Sequence, residues 1–178
     1  VCMQTQETYN DGVIRLFLYA AIFWALIGMS VGVFVAAELY WPNMNMDIPA
    51  LSFSRLRPSH TFGVIFAFGV SALIGTSFYV AQRTGHTRLA FGKLAYFVFW
   101  GWQLSCVLAM ITVPMGYTQS KEYAEPEWII DILIAVVWVS YGIVFFGTLA
   151  RRRIKNIYVA CWYYGAFIVA VGMMHIIN

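Results

Sequence analysis

Charge is what this sequence has least of. Of its 178 residues only 11% are Asp, Glu, Lys or Arg, where a water-soluble domain carries about 25%. A chain so poor in charge cannot cover its own surface in water. That excludes a soluble enzyme, a disordered segment and a nucleic-acid-binding domain, despite an isoelectric point near 8.8. Cysteine is scarce as well. Cys2, Cys106 and Cys161 lie far apart, two of them inside apolar runs, with no CxxC or zinc spacing, so neither a disulfide framework nor a thiolate metal site is implied. No HExxH, phosphate-cradling glycine loop or nucleophile–base pair is present, which removes the hydrolase and transferase readings. Internal repeats, low-complexity tracts and a soluble domain are also absent.

What fills the chain is apolar: 61% of residues are hydrophobic and 18% aromatic, with a mean hydropathy of +0.72. A helix crossing the roughly 30 Å hydrocarbon core needs about 20 mostly apolar residues. Five stretches qualify, at about 13–40, 60–81, 89–117, 128–150 and 157–177, with Pro114 placed to kink the far end of the third. The reading is an all-α integral membrane protein of five transmembrane helices, one membrane domain over residues 1–178. The connections are short, so each helix is expected beside its predecessor. The polar stretch from Gln4 to Asn10 and the length of the first apolar run argue against a cleavable signal. The absence of an initiator Met, and an end close to the last apolar run, suggest a processed or partial chain.

Lys and Arg set the expected direction. One side holds Arg15, Arg83, Arg88, Lys93, Arg151, Arg152, Arg153 and Lys155, the other only Arg55, Arg57 and Lys121. This puts the N-terminus in the cytoplasm and the C-terminus outside. Glu38, Asp47, Glu122, Glu125, Glu127 and Asp131 all fall at the outer face.

An ionisable residue at membrane depth is a functional candidate. His86 lies in the basic loop and reads as solvated. His60 opens the second helix, with Ser59 as its cap and Pro58 ending the loop before it. Gly63, Ala67, Ser71 and Gly75 follow it on roughly one face. Two readings stand: a histidine above a groove of small residues holding a haem iron, or a close helix–helix contact with His60 only hydrogen-bonded near the interface. Arg55 and Arg57 break the positive-inside pattern. They either meet an anion at the outer face, for which haem propionates fit a guanidinium fork, or pair with Asp47, Glu38 or lipid headgroups. The 117–128 loop gathers Glu122, Glu125 and Glu127, a cluster that suits a hard cation such as calcium or is simply a solvated loop. His175, in the same leaflet as His60, is either a second haem ligand or a helix-end residue facing water.

One family carries a matching pattern. Leu56-Arg-Pro-Ser-His-Thr-Phe-Gly-Val-Ile-Phe-Ala-Phe-Gly69 closely resembles the second-helix segment of the catalytic subunit of cbb3-type cytochrome c oxidases, the C-type haem–copper oxidases. The resemblance continues through Phe99-Trp-Gly-Trp-Gln103, Gly116-Tyr-Thr-Gln-Ser-Lys-Glu-Tyr-Ala-Glu125, Ile129-Ile-Asp-Ile-Leu-Ile-Ala-Val-Val-Trp138 and Phe145-Phe-Gly-Thr148. It implies that His60 is an axial ligand of a low-spin haem b. Arg57, and less directly Arg55, would lie near the haem propionates, and Glu122 would be associated with calcium. It also implies a place in a bundle of about twelve helices in a bacterial inner membrane. The parent enzyme oxidises c-type cytochromes through membrane-anchored subunits, reduces dioxygen to water and pumps protons. Its high-spin haem b, its copper and the second low-spin ligand belong to later helices with no matching position here. Without the resemblance, two other classes fit the spacing: a self-sufficient bis-histidine b-type cytochrome using His60 and His175, and a cofactor-free helical subunit.

Overall fold

The computed structural model describes residues 9–119, 121 and 124–177. Its main elements are five helices long and apolar enough to cross a bilayer: Asp11–Glu38, Phe53–Gly85, Gly92–Met115, Trp128–Ala150 and Val159–Ile177, here the first to fifth. No strand occurs among the described residues. Helix is the local solution because hydrocarbon offers no partner for a backbone N–H or C=O, so each must be satisfied within its own segment. The chain is therefore a multi-pass membrane protein.

The second helix departs from the sequence reading. It starts at Phe53 and not at His60, about two turns early. The Ser-Arg-Leu-Arg-Pro-Ser stretch is helical although too polar to register as a span. Pro58 lies inside the helix, where its missing N–H forfeits one bond to the carbonyl of Ser54. Ser59 is not a cap: its hydroxyl donates back to Arg55 O at 3.2 Å. Past Phe62 the helix widens into π geometry over Gly63–Val70, then returns to α geometry through Gly85. Such wide turns are rare and often occur near functional sites. The third helix ends at Met115, one residue beyond Pro114, with Gly116 at φ 95 as its left-handed terminator. Only glycine takes that conformation without strain. Between the first and second helices, residues 42–45 and 49–51 form two short 3₁₀ turns, each opened by proline.

Lipid tails are as apolar as leucine, so packing and interhelical hydrogen bonds hold such a bundle. Phe17 of the first helix meets Phe78 and Phe99 edge-on at 6.1 and 5.1 Å, and Tyr141 meets Phe78 at 5.5 Å. Tyr141 donates to Ser77 at 2.8 Å, Trp24 to Gln103 at 2.7 Å, Tyr164 to Thr76 at 3.1 Å and Trp138 to the Ile168 carbonyl at 2.9 Å. Each such bond contributes about 0.6 kcal/mol, at most about 1.7.

The end of the bundle that carries most of the cations is stitched by the backbone. Fully buried Gln82 accepts from the N–H groups of Asn10 at 2.8 Å and Leu89 at 3.2 Å. Thr148 accepts from the N–H of Ala90 at 3.0 Å, and Gly85 O from the N–H of Arg153 at 2.9 Å. Asp11 and Arg83 pair at 3.0 Å.

Candidate functional site

His60 lies in the second turn of its helix and leans against the first helix. Its Nδ1 is 2.8 Å from the carbonyl oxygen of Gly28. That carbonyl can only accept, so Nδ1 carries the proton, and Nε2 is the nitrogen with a free lone pair. Nε2 has no partner among the described residues. The imidazole edge between the two nitrogens rests on Gly32. A Cβ there would stand 2.5 Å from His60 Cε1, 2.8 Å from Nδ1 and 3.1 Å from Nε2. Metal-bound histidines almost always have this arrangement, one ring nitrogen tied to a carbonyl or carboxylate and the other left for the metal.

Arg57 sits one turn before His60, hence on the same side of the helix. It is exposed, and its guanidinium has no hydrogen bond or ion pair among the described residues. Arg55 is engaged: it donates to Pro114 O at 3.3 Å and covers Gly116, where a Cβ would lie 3.3 Å from its guanidinium carbon. It thus caps the carbonyl end of the third helix, where a cation is favoured. Neither arginine pairs with Glu38 or Asp47 among the described residues. Glu38 is only 5% exposed, and its Oε2 lacks a partner.

The small residues below His60 do not form an open groove. Gly63 packs against Gly28 Cα at 3.6 Å and Met110 Sδ at 3.4 Å, measured from the Cβ it lacks, and Gly75 against Phe17. Ser71, fully buried, lies 3.4 Å from Gln103 Nε2. That face is filled by the first and third helices, so close helix contact accounts for the stripe. His60 itself takes the hydrogen bond of the interfacial reading while keeping the free nitrogen that the ligand reading requires.

His175 is not brought to His60. Its Nε2 lies 3.2 Å from the backbone carbonyl of Asp131 on the fourth helix. It lines an apolar cavity with Phe62, Trp102 and Trp138 that His60 does not line. Glu122 lies outside the described residues. Glu125 contributes its carbonyl to a loop clasp, accepting from the N–H of Gln119 and the hydroxyl of Thr118, both at 2.8 Å. Glu127 precedes the fourth helix without a side-chain cap bond. Among the described residues no three acidic, histidine or cysteine side chains converge as a metal site.

Sequence reasoning missed Gly28 and Gly32. The signal was present as Gly28-Met-Ser-Val-Gly32, the GxxxG spacing that lets membrane helices approach closely. What it could not reveal is that a histidine ring, and not only a neighbouring backbone, occupies the space.

The profile of the family described as "Cytochrome C and Quinol oxidase polypeptide I" matches residues 12–178. "Cbb3-type cytochrome c oxidase subunit CcoN1" of Stutzerimonas stutzeri is 55% identical over 174 residues, covering 98% of this chain and 37% of that protein. "Cytochrome c oxidase subunit 1" of Rhodobacter capsulatus is 50% identical over 177 residues, covering 98% and 33%. "Cytochrome c oxidase subunit 1 homolog" of Agrobacterium tumefaciens (strain T37) is 47% identical over 177 residues, covering 99% and 32%. The chain thus spans about a third of the length of the curated relatives it matches.

Proposed function

This chain belongs to the cytochrome c and quinol oxidase polypeptide I family, and from that premise we propose that it supplies the low-spin haem b ligand of a cbb3-type cytochrome c oxidase. The whole enzyme would take electrons from membrane-anchored c-type cytochrome subunits, reduce dioxygen to water and pump protons in a bacterial inner membrane. The observation that carries the reading is His60: Nδ1 tied to Gly28 O at 2.8 Å, with Nε2 unpartnered among the described residues.

A haem held by His60 would supply reversible one-electron transfer between ferric and ferrous iron. The residues of this chain do the rest. Gly28 O holds the Nδ1 proton and so presents Nε2 as the donor atom. Exposed Arg57, on the same side, would offer its guanidinium to a propionate carboxylate, and the N–H groups of Arg55 not used by Pro114 O would be a second, weaker candidate. Positive charge there offsets the propionates and stabilises the reduced state. Glu122, outside the described residues, would be a calcium ligand on the strength of the resemblance alone. The second axial ligand, the high-spin haem b and the copper have no residue here and fall to the remaining helices of a twelve-helix subunit. The N-terminus is cytoplasmic and the C-terminus periplasmic in this reading, with His60 and Arg57 toward the periplasm.

The test is a reduced-minus-oxidised spectrum of the native complex containing this chain, with and without carbon monoxide, repeated on His60→Ala. The expected result is a low-spin b-type band together with a carbon-monoxide-sensitive haem, the low-spin band being lost in His60→Ala. A His60→Ala complex that keeps its low-spin alpha band overturns the ligand assignment. A complex with one low-spin haem insensitive to carbon monoxide overturns the oxidase.

A further inference from the structure

Gly28 and Gly32 both lie against the His60 ring, and neither has a side chain. Gly28 sits where the first helix crosses the second: a Cβ on it would meet Val64 Cγ2 at 3.0 Å, Gly63 C at 3.4 Å and Val64 N at 3.4 Å. One turn on, Gly32 provides the floor on which the ring edge rests. The first bare position brings a backbone carbonyl within 2.8 Å of Nδ1. The second leaves the ring room to lie there. The carbonyl that receives Nδ1–H is thus fixed by the helix crossing and not by any rotamer.

We propose that Gly28 and Gly32 are positioning residues that set both the plane and the donor strength of the His60 imidazole, and through them the reduction potential of the haem it ligates. The proposal rests on the reading of His60 as a haem ligand. A hydrogen bond from Nδ1–H to a carbonyl makes the imidazole more basic. A more basic ligand favours ferric over ferrous iron, so this bond holds the potential down, and weakening it raises the potential. The Gly32 floor acts on a second quantity, the angle of the imidazole plane, which the g-values of ferric low-spin haem report directly.

Gly32→Ala in the complete native complex tests this. The added Cβ overlaps the ring itself, so trimming a neighbour does not relieve it. The expected result is a low-spin haem with altered g-values and a raised midpoint potential. Gly69→Ala, whose Cβ meets only Val64 O at 3.4 Å, is the matched control and should change neither. A Gly32→Ala complex with wild-type g-values and wild-type potential overturns the proposal. If Gly32→Ala fails to assemble, Gly28→Ala combined with Val64→Ala decides, because it removes the 3.0 Å contact and leaves only the two 3.4 Å backbone contacts to push the carbonyl away. A raised potential in that double variant supports the proposal, and an unchanged one overturns it. The two readings fail separately: a low-spin band surviving in His60→Ala removes the ligand assignment, whereas loss of that band with an indifferent Gly32→Ala removes only the positioning role.

Discussion

The two ends of the bundle differ in how they treat polar groups. At the end marked by Gln82, loops and helix termini close on themselves: Gln82 ties Asn10 to Leu89, Thr148 holds Ala90, and Gly85 holds Arg153. Two orphan nitrogens occur there, on Gln82 and Arg152, but each side chain is otherwise bonded. At the end marked by His60, whole groups lack partners among the described residues. Arg57 has none, Glu38 is buried without one, and His60 uses one nitrogen of two. The Gln82 end also carries cations without a side-chain partner among the described residues, Arg15, Arg88 and Lys93, but they are exposed, and its backbone termini are tied together. The His60 end differs in that a buried carboxylate, Glu38, and one imidazole nitrogen of His60 lack partners among the described residues alongside exposed Arg57.

Substitutions can break that contrast in order of expected size. Gln82→Leu should be the most damaging to stability. It strands two backbone N–H groups, each costing about 1–3 kcal/mol, and should markedly lower the thermal unfolding midpoint of the complex. Tyr141→Phe deletes the bond to Ser77 between the fourth and second helices and should cost about 0.6 to 1.7 kcal/mol, read by the same measurement. Arg83→Leu breaks a partly exposed pair with Asp11, worth about 0.2–1 kcal/mol and screened by salt, so the loss from that pair should shrink at high ionic strength. Arg57→Gln should leave thermal stability within about 0.5 kcal/mol yet lower the low-spin haem potential, since a cation favouring the ferrous state is gone. A destabilised Arg57→Gln with an unchanged potential would turn the contrast around, making that end structural.

Much of this was legible in advance, and the reasons differ by level. The five spans could be read because a window of apolar residues long enough to cross a bilayer needs no tertiary information. The start of the second helix was not legible. Ser54, Arg55 and Arg57 lower the local hydropathy and Pro58 imitates a boundary, while the helix persists because only one of its bonds is forfeited. His60 was singled out for its rarity at depth, and the structure gives it a geometry consistent with that choice. Its acceptor on Gly28 was invisible because a backbone carbonyl has no residue identity. The stripe from Gly63 to Gly75 was read either as room for a ligand or as close helix contact, since small residues signal close approach without saying by what, and here the first helix packs against Gly63 and Gly75. Arg55 was expected to meet an anion, whether a haem propionate, an acidic side chain or a lipid headgroup, and its contact with the Pro114 carbonyl was invisible because that partner exists only once the third helix ends beside it.

The first helix carries a mechanical consequence. Gly28 and Gly32 face His60, while their neighbours Met29 and Val33, about 100° round the helix, are 60% and 71% exposed. The rod that holds the imidazole by its backbone therefore offers its outer flank to whatever surrounds the bundle, lipid or further helix. A shift of the first helix relative to the second therefore moves the acceptor of the Nδ1 proton with it, because that acceptor is main chain.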